Sequence, residues 1–320
     1  MLIDVSKDVY RKHFPEDSNP YISEPYIGLV EHKTDKVVRL LDPENNSSIG
    51  LLTGVKDNIL SSPFSAPFGG FHFIHEDVYY EEIFNFLTQL KEYAIIHKLQ
   101  KMEITLPPSI YNSSLNAKLV NAFIRLGFTM QIPDIVNWVN LTSFNEKCVR
   151  KRVEEKLKAA KKANLSFIHV TDENMMAESY EVISNNRTML GRGIYVSFAE
   201  LLDINKIFPV DFFLVKNNEG ENIGAAVFYR GHKKIVQGIF WGDIIPRKPF
   251  PTMDFLVVNI FSFYKILGFD YIDLARSSKD GIPNEGLIRF KEVHNCISSN
   301  RFTFSWTPPA QPIKVDNITS

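Results

Sequence analysis

Ile223-Gly224-Ala225-Ala226-Val227-Phe228-Tyr229-Arg230, then Gly231-His232-Lys233-Lys234, then Ile235-Val236-Gln237-Gly238-Ile239-Phe240-Trp241, is the stretch that decides the fold. Two runs rich in β-branched and aromatic residues around a short Gly-led turn predict a hairpin. A connector with Pro246, Pro249 and Pro251 leads into an apolar helix over 252–267, stopped by Gly268. Tyr271-Ile272-Asp273-Leu274-Ala275 reads as a buried strand, followed by a Gly/Ser/Asp loop and a short helix carrying Phe290-Lys291. A hairpin that feeds a helix and a return strand describes a mixed-sheet α/β core.

The same succession occurs earlier in the chain. Ile49-Gly50-Leu51-Leu52 takes the place of Ile223-Gly224-Ala225-Ala226, and Phe68-Gly69-Gly70 that of Phe240-Trp241-Gly242. A helix over 79–99 precedes a strand, Met102-Glu103-Ile104-Thr105-Leu106, and a short helix ends in Arg125-Leu126-Gly127-Phe128. Matching elements in one order predict an internal duplication, two similar α/β units in tandem. The boundary is expected at a basic segment, so that 1–146 forms one unit and 147–320 the other.

That segment, 147–162, sets eight cations (Lys147, Arg150, Lys151, Arg152, Lys156, Lys158, Lys161, Lys162) against Glu154 and Glu155. Val149, Val153, Leu157 and Ala160 fall on one helical stripe, so the helix docks apolar side down and shows its charge to solvent or to phosphates. Elsewhere strands are expected at 26–31, 37–41 and 49–53, and Asn137–Leu141 is expected to close the first unit. Asn217-Asn218-Glu219-Gly220 joins two further strands as a hairpin turn.

Composition narrows the function classes. Apolar residues make up 44% and charged ones 23%, the balance of a folded soluble chain, and net charge is -1. No overall field draws the protein to DNA or to an anionic membrane, so any phosphate partner must use a local patch. The longest apolar run, 255–263, is too short to span a bilayer. Cys148 and Cys296 lack metal-ligand spacing, and no apolar signal core opens the chain, so a cytoplasmic protein is expected. Eight scattered histidines make no metal site, and Ser277-Ser278 with Asp280 lack a nucleophile-elbow context, so neither a metalloenzyme nor a hydrolase finds support.

Taken together, the basic helix running into Ala159-Ala160-Lys161-Lys162-Ala163-Asn164-Leu165, the 223–241 hairpin, Phe269-Asp270-Tyr271-Ile272-Asp273-Leu274 and Gly286-Leu287-Ile288-Arg289-Phe290-Lys291 resemble the Fem-type branch of the GNAT superfamily. That branch holds the bacterial peptidoglycan-bridge aminoacyltransferases and related acyltransferases, and the resemblance covers roughly 25–305. It implies two tandem GNAT-like units and an N-acyltransferase that moves an acyl or aminoacyl group onto an amine, on a small-molecule or cell-wall or surface-glycan precursor. It implies acetyl-CoA or aminoacyl-tRNA as donor, and tRNA as a partner in the second case.

By the same resemblance the Phe-Lys lysine, Lys291, sits at the acyl-transfer site, where a fixed ammonium stabilises a tetrahedral oxyanion. The first unit has Ile124-Arg125 in that place, so chemistry is expected in the second unit alone. Phe290 and Trp241 are expected as groove walls, with Tyr229 and Arg276 as further substrate contacts at strand ends. Asp273 either accepts the amine proton or caps its strand. Where CoA-using relatives place a Gly-rich turn, this chain reads Pro246-Arg247-Lys248-Pro249-Phe250-Pro251-Thr252. Proline offers no N–H to a pyrophosphate, which leaves the grip to the side chains of Arg247 and Lys248. Val293-His294-Asn295 replaces the aromatic-Gly pair usual after Phe-Lys. The competing expectation is a catalytically silent GNAT-like module that binds a nucleotide-sugar or a protein.

Overall fold

The structure, a computed structural model, describes residues 1–15, 19–43, 48–75, 77–145, 150–246 and 249–309. The first half runs β1 (Ile3–Asp4), α1 (Lys7–His13), α2 (Glu24–Val30), β2 (Lys36–Leu41), β3 (Ile49–Lys56), β4 (Ile59–Ser62) and β5 (His72–Phe73). It continues through α3 (Tyr80–Ile96), β6 (Lys101–Thr105), α4 (Ser113–Arg125), β7 (Thr129–Met130) and β8 (Asp134–Asn140). The second half opens with α5 (Lys151–Lys162), β9 (Ser166–Val170), α6 (Glu173–Met189), α7 (Phe198–Asn205), β10 (Val210–Lys216), β11 (Asn222–Tyr229) and β12 (Ile235–Asp243). After it come α8 (Thr252–Ile266), β13 (Tyr271–Arg276), the short pair β14 (Ser278–Lys279) and β15 (Ile282–Pro283), α9 (Glu285–Val293), β16 (Ile297–Arg301) and β17 (Thr303–Trp306).

The duplication is plain in the strand order. One sheet runs β1-β2-β3-β4-β6-β17-β7, and the other, from its far edge, β9-β10-β11-β12-β13-β8-β16. Each has one parallel pair at the same place, β4 with β6 and β12 with β13, and a helix crosses over between the two strands. Antiparallel neighbours need only a turn, whereas a parallel pair needs such a crossover. The fold is thus a mixed α/β architecture of two tandem units with matching strand order.

Three local expectations change. Residues 26–31 are helical, because Ser23 caps the backbone N–H of Tyr26 and a proline occupies the first turn of α2. The strand answering to β12 is β4, so Phe68-Gly69-Gly70 lies beyond it in a loop. The strand at 134–140 joins the second sheet, between β13 and β16, while β17 from the end of the chain enters the first, between β6 and β7. The sheets exchange one strand each. The 1–146 and 147–320 division stays a proposal about folding units.

Each sheet is covered by its crossover helices. Leu51, Leu87, Ile104 and Phe123 centre the core of the first sheet with α3 and α4. In the second, Phe213, Leu256, Phe261 and Tyr264 fill the face under α8, on which α5 lays Val153 and Ala160. The opposite face carries α6 and α7, and there Tyr21, Tyr26 and Phe68 from the first half pack with Val182, Leu201, Phe212 and Tyr229. This mixed cluster joins the units. The approach of α8 depends on Gly224: a Cβ there would lie 2.5 Å from Thr252 Cγ2, at the first residue of the helix. Gly224→Val is expected to destabilise the fold by about 2 kcal/mol, the usual size of an overpacked contact, read as a lower urea midpoint at unchanged slope. No helix among the described residues is long and apolar enough to cross a membrane.

Candidate active site

The site opens where the second sheet splits. Strands β12 and β13 pair in parallel only from Ile235 with Tyr271 to Gln237 with Asp273. Beyond that β12 continues to Asp243 beside β11 alone, and β13 turns away through an irregularity between Asp273 and Arg276. Ala275 sits in this bend at φ 57°, a left-handed conformation unusual for a residue with a Cβ. Ligands of open α/β sheets bind at such splayed carboxyl ends.

Lys291 reaches into the bend from α9, which Asn284 caps by accepting the N–H of Leu287 at 3.1 Å. Among the residues of α9 only this lysine is fully buried, at 1% exposure. Its Nζ donates to Leu274 O at 2.8 Å, Ala275 O at 3.1 Å and Ser277 Oγ at 2.8 Å. Ser277 in turn donates to Asn137 on β8, whose amide donates to Ser298 Oγ at 2.9 Å. Burial lowers the Lys291 pKa to about 8, against the opposing pull of Cys296 and Asp273. The same burial pushes the free thiol of Cys296 up to about 12. An ammonium held only by bonds to neutral acceptors is an unusual thing for a protein to bury.

Trp241, in the half of β12 that pairs with β11 but no longer with β13, faces this amine with its ring centroid 6.0 Å from Nζ. Phe290 meets Trp241 edge-on at 5.9 Å, so the structure brings these two and Lys291 together. Behind Phe290 an open groove is lined by Arg152 and Lys156 of α5, Asp254 of α8, and Gly286, Arg289 and Val293 of α9. Asp254 binds Lys156 at 2.7 Å and faces His294 Nε2 at 3.3 Å. Burial works to raise the Asp254 pKa, but these two partners hold it below the usual carboxylate range. With Asp254 already matched, Arg152 and Arg289 give the groove its surplus positive charge.

The remaining candidates lie elsewhere. Tyr229 is buried in the core on the α6/α7 face, against Phe208 at 5.4 Å, and touches neither Trp241 nor Phe290. Arg276 is exposed at the end of β13 and turns toward Asp134, 3.9 Å away. Arg247 and Lys248 lie outside the described residues, as do Lys147, Cys148 and Val149 of the basic segment. In the first unit Arg125 is exposed at the end of α4 and stacks over Phe84 at 5.1 Å, so this cation is not buried as Lys291 is.

Asp273 caps its own strand: Oδ1 accepts the Ala275 N–H at 2.8 Å. It is 1% exposed, and desolvation raises its pKa even though Ala275, Gln237, the Lys291 charge and Tyr111 pull the other way. Gln237, Ser277, Asn137, Tyr21 and Tyr111 take part in the site without having been singled out for it. Gln237 and Asn137 left a trace in the sequence, each as a polar residue inside an otherwise apolar run.

No protein-family model matches the chain, and no curated protein does. Solved structures do. FemX superposes with a TM-score of 0.69 at 10% identity, over 96% of this chain and 97% of its own. The C-terminal domain of an Agrobacterium fabrum protein named as a lysylphosphatidylglycerol synthetase follows at 0.61 and 11%, over 94% and 92%. A tandem GNAT protein from the clavulanic acid biosynthesis pathway aligns at 0.57 and 9%, over 98% and 99%. Nearly full coverage in both directions extends the likeness to both units and their order. The chain has the tandem fold of the GNAT and Fem-type acyltransferases.

Proposed function

We propose that this protein is an N-acyltransferase that moves an acyl or aminoacyl group from a phosphate-bearing donor to an amine. The observation that carries this reading is the buried Lys291 ammonium at the mouth of the split between β12 and β13, walled by Trp241. When an amine attacks a thioester or ester carbonyl, negative charge grows on the carbonyl oxygen. A preorganised cation in a site shielded from water stabilises that charge far more than it would in water. All three Nζ donors are occupied in the absence of substrate, so the oxyanion has to displace one acceptor. Ser277 Oγ is the replaceable one, since a hydroxyl can turn while backbone carbonyls cannot. Phe290 borders both the reaction centre and the Arg152/Arg289 groove, so a donor whose phosphates rest on those arginines would direct its acyl carbon along Phe290 toward Lys291.

The name of the lysylphosphatidylglycerol synthetase supports a lipid acceptor, the Fem-type resemblance of the sequence supports a cell-wall one, and a bacterial, cytoplasmic enzyme of cell-envelope biogenesis fits both. Acetyl-CoA and aminoacyl-tRNA both present phosphates to a basic groove. Thermal melting separates them: a donor that binds only the folded state raises the midpoint by mass action, by about 2.7 kcal/mol of stability at a hundredfold excess over Kd. A rise with millimolar acetyl-CoA selects the acetyl donor, and a rise with charged tRNA alone selects the other. Arg152→Glu with Arg289→Glu is expected to weaken donor binding at least tenfold and to flatten its salt dependence, because each phosphate contact adds to the salt slope. A donor affinity untouched by both reversals removes the groove from the reading.

One observation favours the alternative of a silent binding module: the full set of acceptors already on Lys291 Nζ. Such a module would bind its nucleotide-sugar or protein ligand with equal affinity at pH 7 and above pH 9. Transfer chemistry would not tolerate that change.

A further inference from the structure

Two phenols from the first unit are fixed onto the Lys291 support in the second. Tyr21, in the 3-10 turn Pro20–Ile22, donates its hydroxyl to Gln237 Oε1. That bond sets which way the Gln237 amide points, and its Nε2 then donates to Asp273 Oδ2 at 2.9 Å. Tyr111, just before α4, donates to the same carboxylate oxygen at 3.3 Å. The other oxygen of Asp273 holds Ala275 N–H in the left-handed bend, and the carbonyls of Ala275 and Leu274 carry Lys291. The sequence separations across this path are 216 and 162 residues, so it exists only when the units are docked.

We propose that the first unit sets the Lys291 site, with Tyr21 and Tyr111 acting through Gln237 and Asp273 to hold the bend in β13 that carries the ammonium. The four are positioning residues. A buried carboxylate needs donors to stay ionised, and here two of its three come directly or through Gln237 from the first unit. Loss of the phenols loosens the bend and lets Asp273 take up a proton, which removes the anion that favours the charged form of Lys291. A duplicated unit without a lysine of its own thereby keeps a share in the chemistry of the other.

The purpose of the site rests on the transferase reading, but the test does not, because Lys291 can be titrated by NMR with carbon-13 at lysine Cε whether or not any group is transferred. The charged and titratable groups facing Nζ are Asp273 and Cys296, and the thiol stays neutral through the range examined. In the wild type the midpoint is expected near 8. Asp273→Asn should move it down by about half a pH unit or more, as removal of a nearby buried anion requires. Tyr111→Phe should move it the same way in the wild type and leave it unmoved in Asp273→Asn. Tyr21→Phe, which removes one oxygen atom, serves where Asp273→Asn does not fold and should also lower the midpoint. An unchanged midpoint in Asp273→Asn, equal shifts from Tyr111→Phe in both backgrounds, or no shift in either phenylalanine variant overturns the proposal.

Discussion

Lys291→Met is expected to lower the transfer rate about 10²- to 10³-fold, the usual effect of removing one oxyanion-stabilising group, with little change in donor KM. Methionine is unbranched and close in length, so it fills the space without the charge. The groove that would hold the donor phosphates is lined by other side chains, chiefly Arg152 and Arg289, which is why binding should survive. A pH profile gives an independent check. The acceptor amine must be neutral to attack, so the rate climbs with pH until Lys291 loses its own proton. A descending limb near pH 8 is therefore expected in the wild type, where the amine titrates at about 8, and should be absent from the residual activity of Lys291→Met. Single-turnover assays with acetyl-CoA or charged tRNA read both quantities. Full activity in the variant would discard Lys291 as the catalytic residue.

The second large effect concerns stability. Lysine in the unfolded chain titrates at 10.5, and Lys291 in the folded one at about 8. Between those values the unfolded state binds more protons, so unfolding free energy rises with pH across the window, and below pH 8 burial of the charge carries its full cost. Each pH unit between the two values corresponds to about 1.36 kcal/mol, so the wild type should gain about 3 kcal/mol relative to Lys291→Met between pH 7 and pH 10.5. Paired urea melts at the two pH values measure the difference directly, and effects common to both proteins cancel. Parallel curves would mean that Lys291 is not buried as a titrating amine. An expensive buried charge retained in a protein core is the usual mark of a functional group, because a structural position would be filled more stably by an apolar side chain.

Much of the architecture was legible because it depends on local rules. The Asn217 turn, the stop at Gly268 and the apolar stripe of α8 each lie within one element and its flanks. The duplication was visible for the same reason, since repeated elements repeat their periodicity even after the residues themselves have diverged. The error at 26–31 was local too: Tyr26, Ile27 and Val30 suit a strand, but Ser23 and Pro25 had already begun a helix. At the candidate site, the Phe-Lys pair drew attention to Lys291, which the structure buries beside Trp241.

What sequence by itself determined, then, is the set of elements, their order, their repetition and the one lysine without a counterpart in the first unit. Only the tertiary structure decided that β8 and β17 change sheets, since each pairs on both sides with strands distant in sequence, and a strand joins whichever neighbours offer free backbone donors and acceptors. It alone placed Tyr229 in the core on the α6/α7 face and Arg276 beside Asp134, because a residue at a strand end can face either side of a bent sheet. And it alone joined Tyr21 and Tyr111 to Asp273: hydrogen bonds between residues more than 160 positions apart leave no periodicity in the chain, only a geometry when the two units meet.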